Sequence, residues 1–224
     1  FSLRHWNWVE SNRKYVKKAT DGKVGYVYLP NTTTAGYTSF NRMFFAQVDR
    51  QGIILDERSN GGGQAANYII DVLSREHLSS WKFRSGDMVY HTPAGAIYGP
   101  KVMLIDQDAG SGGDFLPYAF KRLELGTLVG KTTWGGLIGI SANRNFIDGG
   151  RVTVPNFRVF TPEHEWRIEN EGVTPDIEVE LDPVAVNKGS DPQLDRAITE
   201  VQQQLKHFTP VRHKYPPAFP TELG

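Results

Sequence analysis

An α/β fold, with parallel strands joined by crossover helices, is what this sequence predicts. Three observations carry that expectation. The order strand, glycine-rich loop, helix occurs twice, in GIILDERSNGGG with AANYIIDVLSRE and again in KVMLIDQDAGSGGDFLPYAFKRL. The strand segments are short unbroken apolar runs, as expected where a sheet is covered on both faces. A chain of 224 residues, 39% of them hydrophobic, can bury one main core. Two such units in one chain imply parallel pairing, because each strand must return over the sheet through its helix.

In chain order, RHWNWVESNRKYVKKATDG reads as an amphipathic helix with Trp6, Val9 and Tyr15 on one side and Asp21-Gly22 as its stop. KVGYVYLP alternates Val24, Tyr26 and Tyr28 in the two-residue period of a strand, closed by Pro30. After the polar loop NTTTAGYT, residues Ser39 to Gln47 carry Phe40, Met43, Phe44 and Phe45 at helical spacing. GIILDER is a strand, and the helix beyond SNGGG turns Tyr68, Ile69, Val72 and Leu73 inward. The second unit repeats the pattern, with Phe120 in the core. LGTLVGKTTWGGLIGI offers a strand, a turn and an extended segment, and RVTVPNFRVFT and DIEVELD alternate as further strands. SDPQLDRAITEVQQQLKHF is a helix started by Asp191-Pro192, with Leu194, Ile198, Val201 and Leu205 as its stripe. The expected organisation is a linking helix over 1–20, an α/β domain over 21–208 and a proline-rich tail over 209–224.

Composition removes several function classes. Lys and Arg number 25 against 25 Asp and Glu, so no net field draws a polyanion, and nucleic acid is not an expected partner. The absence of cysteine removes disulfides, thiolate catalysis and cysteine-ligated zinc. No segment approaches the roughly 18 to 20 apolar residues of a membrane span. No carboxylate pair stands with histidine at metal-ligand spacing, so no metal or cofactor is expected. A first residue of Phe rather than Met leads to the expectation of a piece of a longer polypeptide.

The two glycine loops carry the chemistry. Three glycines after a strand, Gly61 to Gly63, let backbone amides approach a ligand, although GGG alone also suits a plain βα loop. Neither the dinucleotide fingerprint nor the phosphate loop is present. Ser111 stands between a strand end and a helix start, where free amides and the helix dipole favour negative charge. Such a serine is either a nucleophile, with the Gly112 amide as donor to its oxyanion, or a helix cap. In an open α/β sheet the carboxyl ends of neighbouring strands meet at one crevice, which would bring the two loops together.

In order and spacing, GYVYLP, DERSNGGG, AGSGGD, GTLVGKTTWGGLIGI, NFIDGG and IENEGVTPDIEVE resemble the catalytic C-terminal domain of tricorn proteases, serine peptidases related to the tail-specific, C-terminal-processing enzymes. The resemblance runs from the opening helix to the helix ending near Phe208. It implies a layered sheet like that of ClpP and the crotonases, with Ser111 as nucleophile and the amides of Gly63 and Gly112 as oxyanion donors. Glu169 would help orient a histidine base through a second serine. Gly61, Gly62 and Gly63 would border the substrate, and the segment around Leu137 and Gly139 would pair with it as a strand.

The lysine base of the C-terminal-processing relatives has no counterpart at Trp134-Gly135-Gly136, which argues against a serine-lysine dyad. Trp81 falls near the position where tricorn proteins carry an aspartate that selects basic side chains, so an apolar preference is open here. The family's histidine lies upstream of a PDZ-like insert, and neither region has a match in this sequence. The internal candidates are His5, His77, His91, His164, His207 and His213, with His164 standing nearest Glu169 in sequence. The resemblance thus implies a catalytic lobe completed by an upstream part of the same polypeptide, acting on peptides within a homo-oligomeric, hexameric ring. A cytoplasmic location is expected, with a periplasmic one as the alternative. A non-catalytic peptide-binding domain of the same fold, or a C-terminal-processing peptidase, remains the competing expectation.

Overall fold

A computed structural model describes residues 2–140, 144–210 and 217–221. Helix α1, Ser2–Ala19, leads into strand β1, Val24–Tyr28, followed by α2, Thr34–Phe45, β2, Gly52–Asp56, and α3, Ala66–Leu73. Strands β3, Ser79–Lys82, and β4, Val89–Thr92, form a separate antiparallel hairpin. The second unit follows as β5, Lys101–Ile105, α4, Gly112–Arg122, and β6, Thr127–Gly130. The next elements among the described residues are β7, Ile177–Glu178, α5, Pro183–Asn187, and α6, Pro192–Leu205.

The main sheet has the order β1-β2-β5-β6-β7, and every neighbouring pair is parallel. All residues of β1, β2 and β5 are buried, which is why those segments read as continuous apolar runs. Alternate side chains feed two cores. Val27, Ile53, Leu55, Met103 and Ile105 meet Phe40 and Phe44 of α2, Ile69 and Leu73 of α3, and Leu116 and Phe120 of α4. Val24, Tyr26, Ile54, Val102 and Leu104 meet Val9 and Val16 of α1 and Leu194, Ile198 and Val201 of α6. The molecule is a helix, sheet, helix sandwich, and the layered α/β expectation holds.

Several local expectations need correction. The buried stripe of α1 is Val9, Asn12 and Val16, whereas Trp6 and Tyr15 are exposed, Tyr15 donating to Asp195 of α6 at 2.6 Å. Helix α2 begins at Thr34, ahead of its aromatic run, because Asn31 Oδ1 accepts the N–H groups of Thr33 and Gly36 and closes the first turn. RVTVPNFRVFT is assigned no strand; among the described residues it makes the isolated bridges Gly139 with Phe157 and Phe160 with Trp166, and Val152 and Val154 stay exposed. Alternation marks a strand only where a sheet edge and a core face receive it. DIEVELD pairs with β6 over two residues. The tail residues 211–216 and 222–224, with His213 among them, lie outside the described residues.

Candidate active site

Strands β1, β2 and β5 all end at one edge, and the chain leaves each through a polar or glycine-rich loop: NTTT, SNGGG and DQDAGSGG. These loops are knitted together. Thr32 N–H donates to Gly62 O at 2.9 Å, Ala65 N–H donates to Thr32 O at 2.6 Å, and Gly110 N–H donates to Asn60 O at 3.0 Å. Asn60 also takes the Gly62 N–H on its Oδ1 at 2.9 Å and donates its amide to Glu57 at 3.0 Å. Burial pushes the Glu57 carboxyl well above the usual carboxylate range, partly offset by the hydrogen bond from Asn60.

Ser111 precedes α4 with φ 57° and ψ −113°, a backbone region that side chains avoid. A sharp strand-to-helix turn of this kind lifts a serine hydroxyl clear of the sheet. What holds it is Asp114, fully buried. Its carboxylate accepts the N–H of Ser111 at 2.8 Å, the Thr133 hydroxyl at 2.6 Å, and the N–H groups of Gly135 at 2.8 Å and Gly136 at 3.0 Å. Ser111 N–H also reaches Gly136 O at 3.1 Å. Asp114 is thus the tie between the Ser111 turn and the 133–136 segment, a role that no local pattern encodes.

The NGGG turn lies directly against this serine. A Cβ placed on Gly62, at φ 84°, would fall 2.6 Å from Ser111 Cβ, and one on Gly112 would overlap Thr32 Oγ1 and the backbone of Gly63. Among the described residues, neither the Gly63 nor the Gly112 N–H donates to any acceptor. Two amides from separate turns thus stand beside one strained serine, each free to meet an acceptor. Gly61 flanks them with open space where a side chain would stand.

Glu169 enters from the 166–172 turn, between Ile168 at φ 79° and Asn170 at φ 65°. Its Oε2 accepts the Leu137 N–H at 2.6 Å, one residue beyond the carbonyl that takes the Ser111 amide. Gly139, expected on the substrate-pairing edge, instead donates to Phe157 O at 2.7 Å and accepts from Asn156 N–H at 2.8 Å. The structure does not bring Trp81 to this group. It stacks on Tyr90 in the hairpin, whose base packs where the strands begin: Gly95 sits against Phe45 at the end of α2, and its carbonyl accepts from Arg75.

His164 is equally remote. Its neighbour Glu163 is ion-paired at 2.5 Å with Arg122, the last residue of α4, whereas Ser111 precedes the first. A helix of 11 residues separates them by about 15 Å. His77 and His91 both engage Ser80 in the hairpin, and His5 lies on Tyr28 at the opposite face of the sheet from α4. Among the described residues, no group of three or more His, Asp or Glu is placed to hold a metal, and no helix is long and apolar enough to cross a membrane.

This geometry has known counterparts. Residues 23–179 match peptidase family S41. The chain belongs to that family. It is 37% identical over 206 residues to the tricorn protease of Thermoplasma volcanium, covering 92% of this chain and 20% of that protein. To tricorn protease homolog 1 of Streptomyces coelicolor it is 35% identical over 218 residues, covering 97% of this chain and 20% of the relative. The S41 chain superposes on the crystal structure of the tricorn protease with a TM-score of 0.84 at 37% identity, over 89% of its own length and 19% of the other. A photosystem II D1 C-terminal processing protease shares the fold, with a TM-score of 0.55 at 23% identity over 80% of this chain and 47% of that one. The chain spans about a fifth of the length of the tricorn relatives.

Proposed function

We propose that this chain is the catalytic lobe of a tricorn-like serine endopeptidase that cleaves peptides or unfolded polypeptide through an acyl-enzyme. The observation that carries the reading is the pair of unspent amides, Gly63 and Gly112, packed against a strained Ser111. Ser111 Oγ attacks the scissile carbonyl and its proton passes to a base. The C–O bond forms as the carbonyl π pair moves onto oxygen, where the two amides receive it. Collapse breaks the C–N bond, the amine leaves with the proton, and water then releases the acyl group by the reverse path.

The base in this reading is a histidine from an upstream part of the same polypeptide, since the placements of His164, His77 and His91 remove them from Ser111. Glu169, anchored to Leu137, supports that base from within this chain. Main-chain groups of an extended segment alternate sides. Leu137 and Gly139 are spent on the protein, so Ile138 between them is left to pair with the substrate strand. Enclosure of several such lobes in a hexameric ring in the cytoplasm belongs to the same proposal.

A fluorophosphonate applied to the full-length polypeptide should modify Ser111, and Ser111→Ala should abolish both labelling and peptide cleavage. The lobe produced alone should turn over no peptide until the upstream part is supplied. An adduct mapped elsewhere, or undiminished cleavage by Ser111→Ala, would sink the assignment.

A further inference from the structure

We infer that the hydroxyl of Thr32 is a third donor to the oxyanion, beside the amides of Gly63 and Gly112; the inference rests on the peptidase reading above. Thr32 follows β1 in the NTTT loop and is completely buried, yet its Oγ1 has no hydrogen-bond partner. Its own N–H and C=O are both spent on the NGGG loop, bonded to Gly62 and Ala65. These bonds fix the backbone that carries the hydroxyl. A Cβ built on Gly112 would overlap Thr32 Oγ1 and Gly63 O and fall 2.7 Å from Gly63 N, so the hydroxyl and the Gly63 peptide both lie against the residue that follows Ser111.

Buried hydroxyls are almost always bonded, and an orphan calls for an explanation. Among the described residues, the Gly63 and Gly112 amides beside it are likewise without an acceptor. Three donors without an acceptor, grouped around the turn that carries Ser111, complement a negative charge that exists only in the tetrahedral intermediate. The hydroxyl proton is donated in a hydrogen bond and stays on Thr32; no covalent bond changes there.

Steady-state kinetics of the full-length polypeptide, comparing wild type with Thr32→Val, Thr32→Ser and Ser111→Ala, test the inference. Valine keeps the shape and deletes the hydroxyl. It should lower kcat at least about tenfold with KM unchanged, while serine restores the rate. Affinity for a peptide boronate, which mimics the tetrahedral species, should fall by the same factor as kcat. A purely structural threonine would instead shift the melting temperature and leave boronate affinity alone, which overturns the inference. So does wild-type kcat in Thr32→Val with Ser111→Ala inactive, an outcome that leaves the peptidase reading standing. Cleavage by Ser111→Ala would remove both. Should the valine variant fail to fold, Thr32→Ala against Thr32→Ser carries the same comparison.

Discussion

Single residues at this site show how burial and backbone strain are used differently at the two ends of one strand. At the far end of β5, Lys101 is 7% exposed and burial lowers its amine from 10.5 to about 8. Between those values the unfolded chain binds a proton that the folded chain has lost, so stability rises with pH through that window. Below about pH 8 the fold carries a buried charge at a cost of up to about 3 kcal/mol. Lys101→Met is therefore expected to raise stability at pH 7 and to lose that advantage as pH 10.5 is approached, as read from urea midpoints. An equal gain at both ends would contradict the burial argument. At the near end, strain is concentrated in Ser111, and Asp114 stabilises it with a carboxylate that accepts four hydrogen bonds. Its partners Thr133, Gly135 and Gly136 lie 19 to 22 positions away, so no local pattern in the sequence announces them.

Among the elements, the glycine loops differ in how much each position needs glycine. A side-chain carbon added at Gly61 would meet nothing within 4 Å, whereas Gly62 combines φ 84° with contact on Ser111 and Gly110. Gly61→Ala should leave folding stability within about 0.5 kcal/mol of wild type. Gly62→Ala should cost about 1 to 3 kcal/mol and slow labelling of Ser111 by about 100-fold, because it pushes the turn bearing the Gly63 amide off Ser111. Thermal unfolding and the labelling rate check both; equal effects at 61 and 62 would break the argument. The run GGG announces a permissive loop, but which glycine is indispensable depends on the turn facing it. For the same reason alternation alone does not make a strand of residues 151–161: among the described residues they meet only the isolated bridges at Phe157 and Phe160.

Across the whole molecule, the two helical layers are bolted to the sheet by different means. The α2, α3, α4 side is held by apolar packing around Phe40, Phe44 and Phe120. On the other side, Arg58 joins Asp56 at 2.6 Å and Asp191 at 2.9 Å, tying the end of β2 to the start of α6 across 133 positions. Asp191 also caps α6 by accepting the Leu194 N–H at 3.0 Å. Asp191→Ala removes both the cap and one partner of a buried guanidinium, so it should cost about 1 to 3 kcal/mol in chemical denaturation. A loss below about 0.5 kcal/mol would show that Asp56 alone satisfies Arg58.

The amino-acid order determined the buried strands β1, β2, β5 and β6, the helices over the two cores, and the pair of loops in which a nucleophile and its donors had to be sought. Period and apolar runs are local quantities, fixed by which faces of an element must leave water. Only the folded chain decided that those loops touch, that Thr32 places a buried hydroxyl between them, that Asp114 ties the Ser111 turn to residues 133–136, and that Glu163, beside His164, pairs with the far end of α4. Such facts arise from distances between residues far apart in sequence, and no spacing rule along the chain contains them.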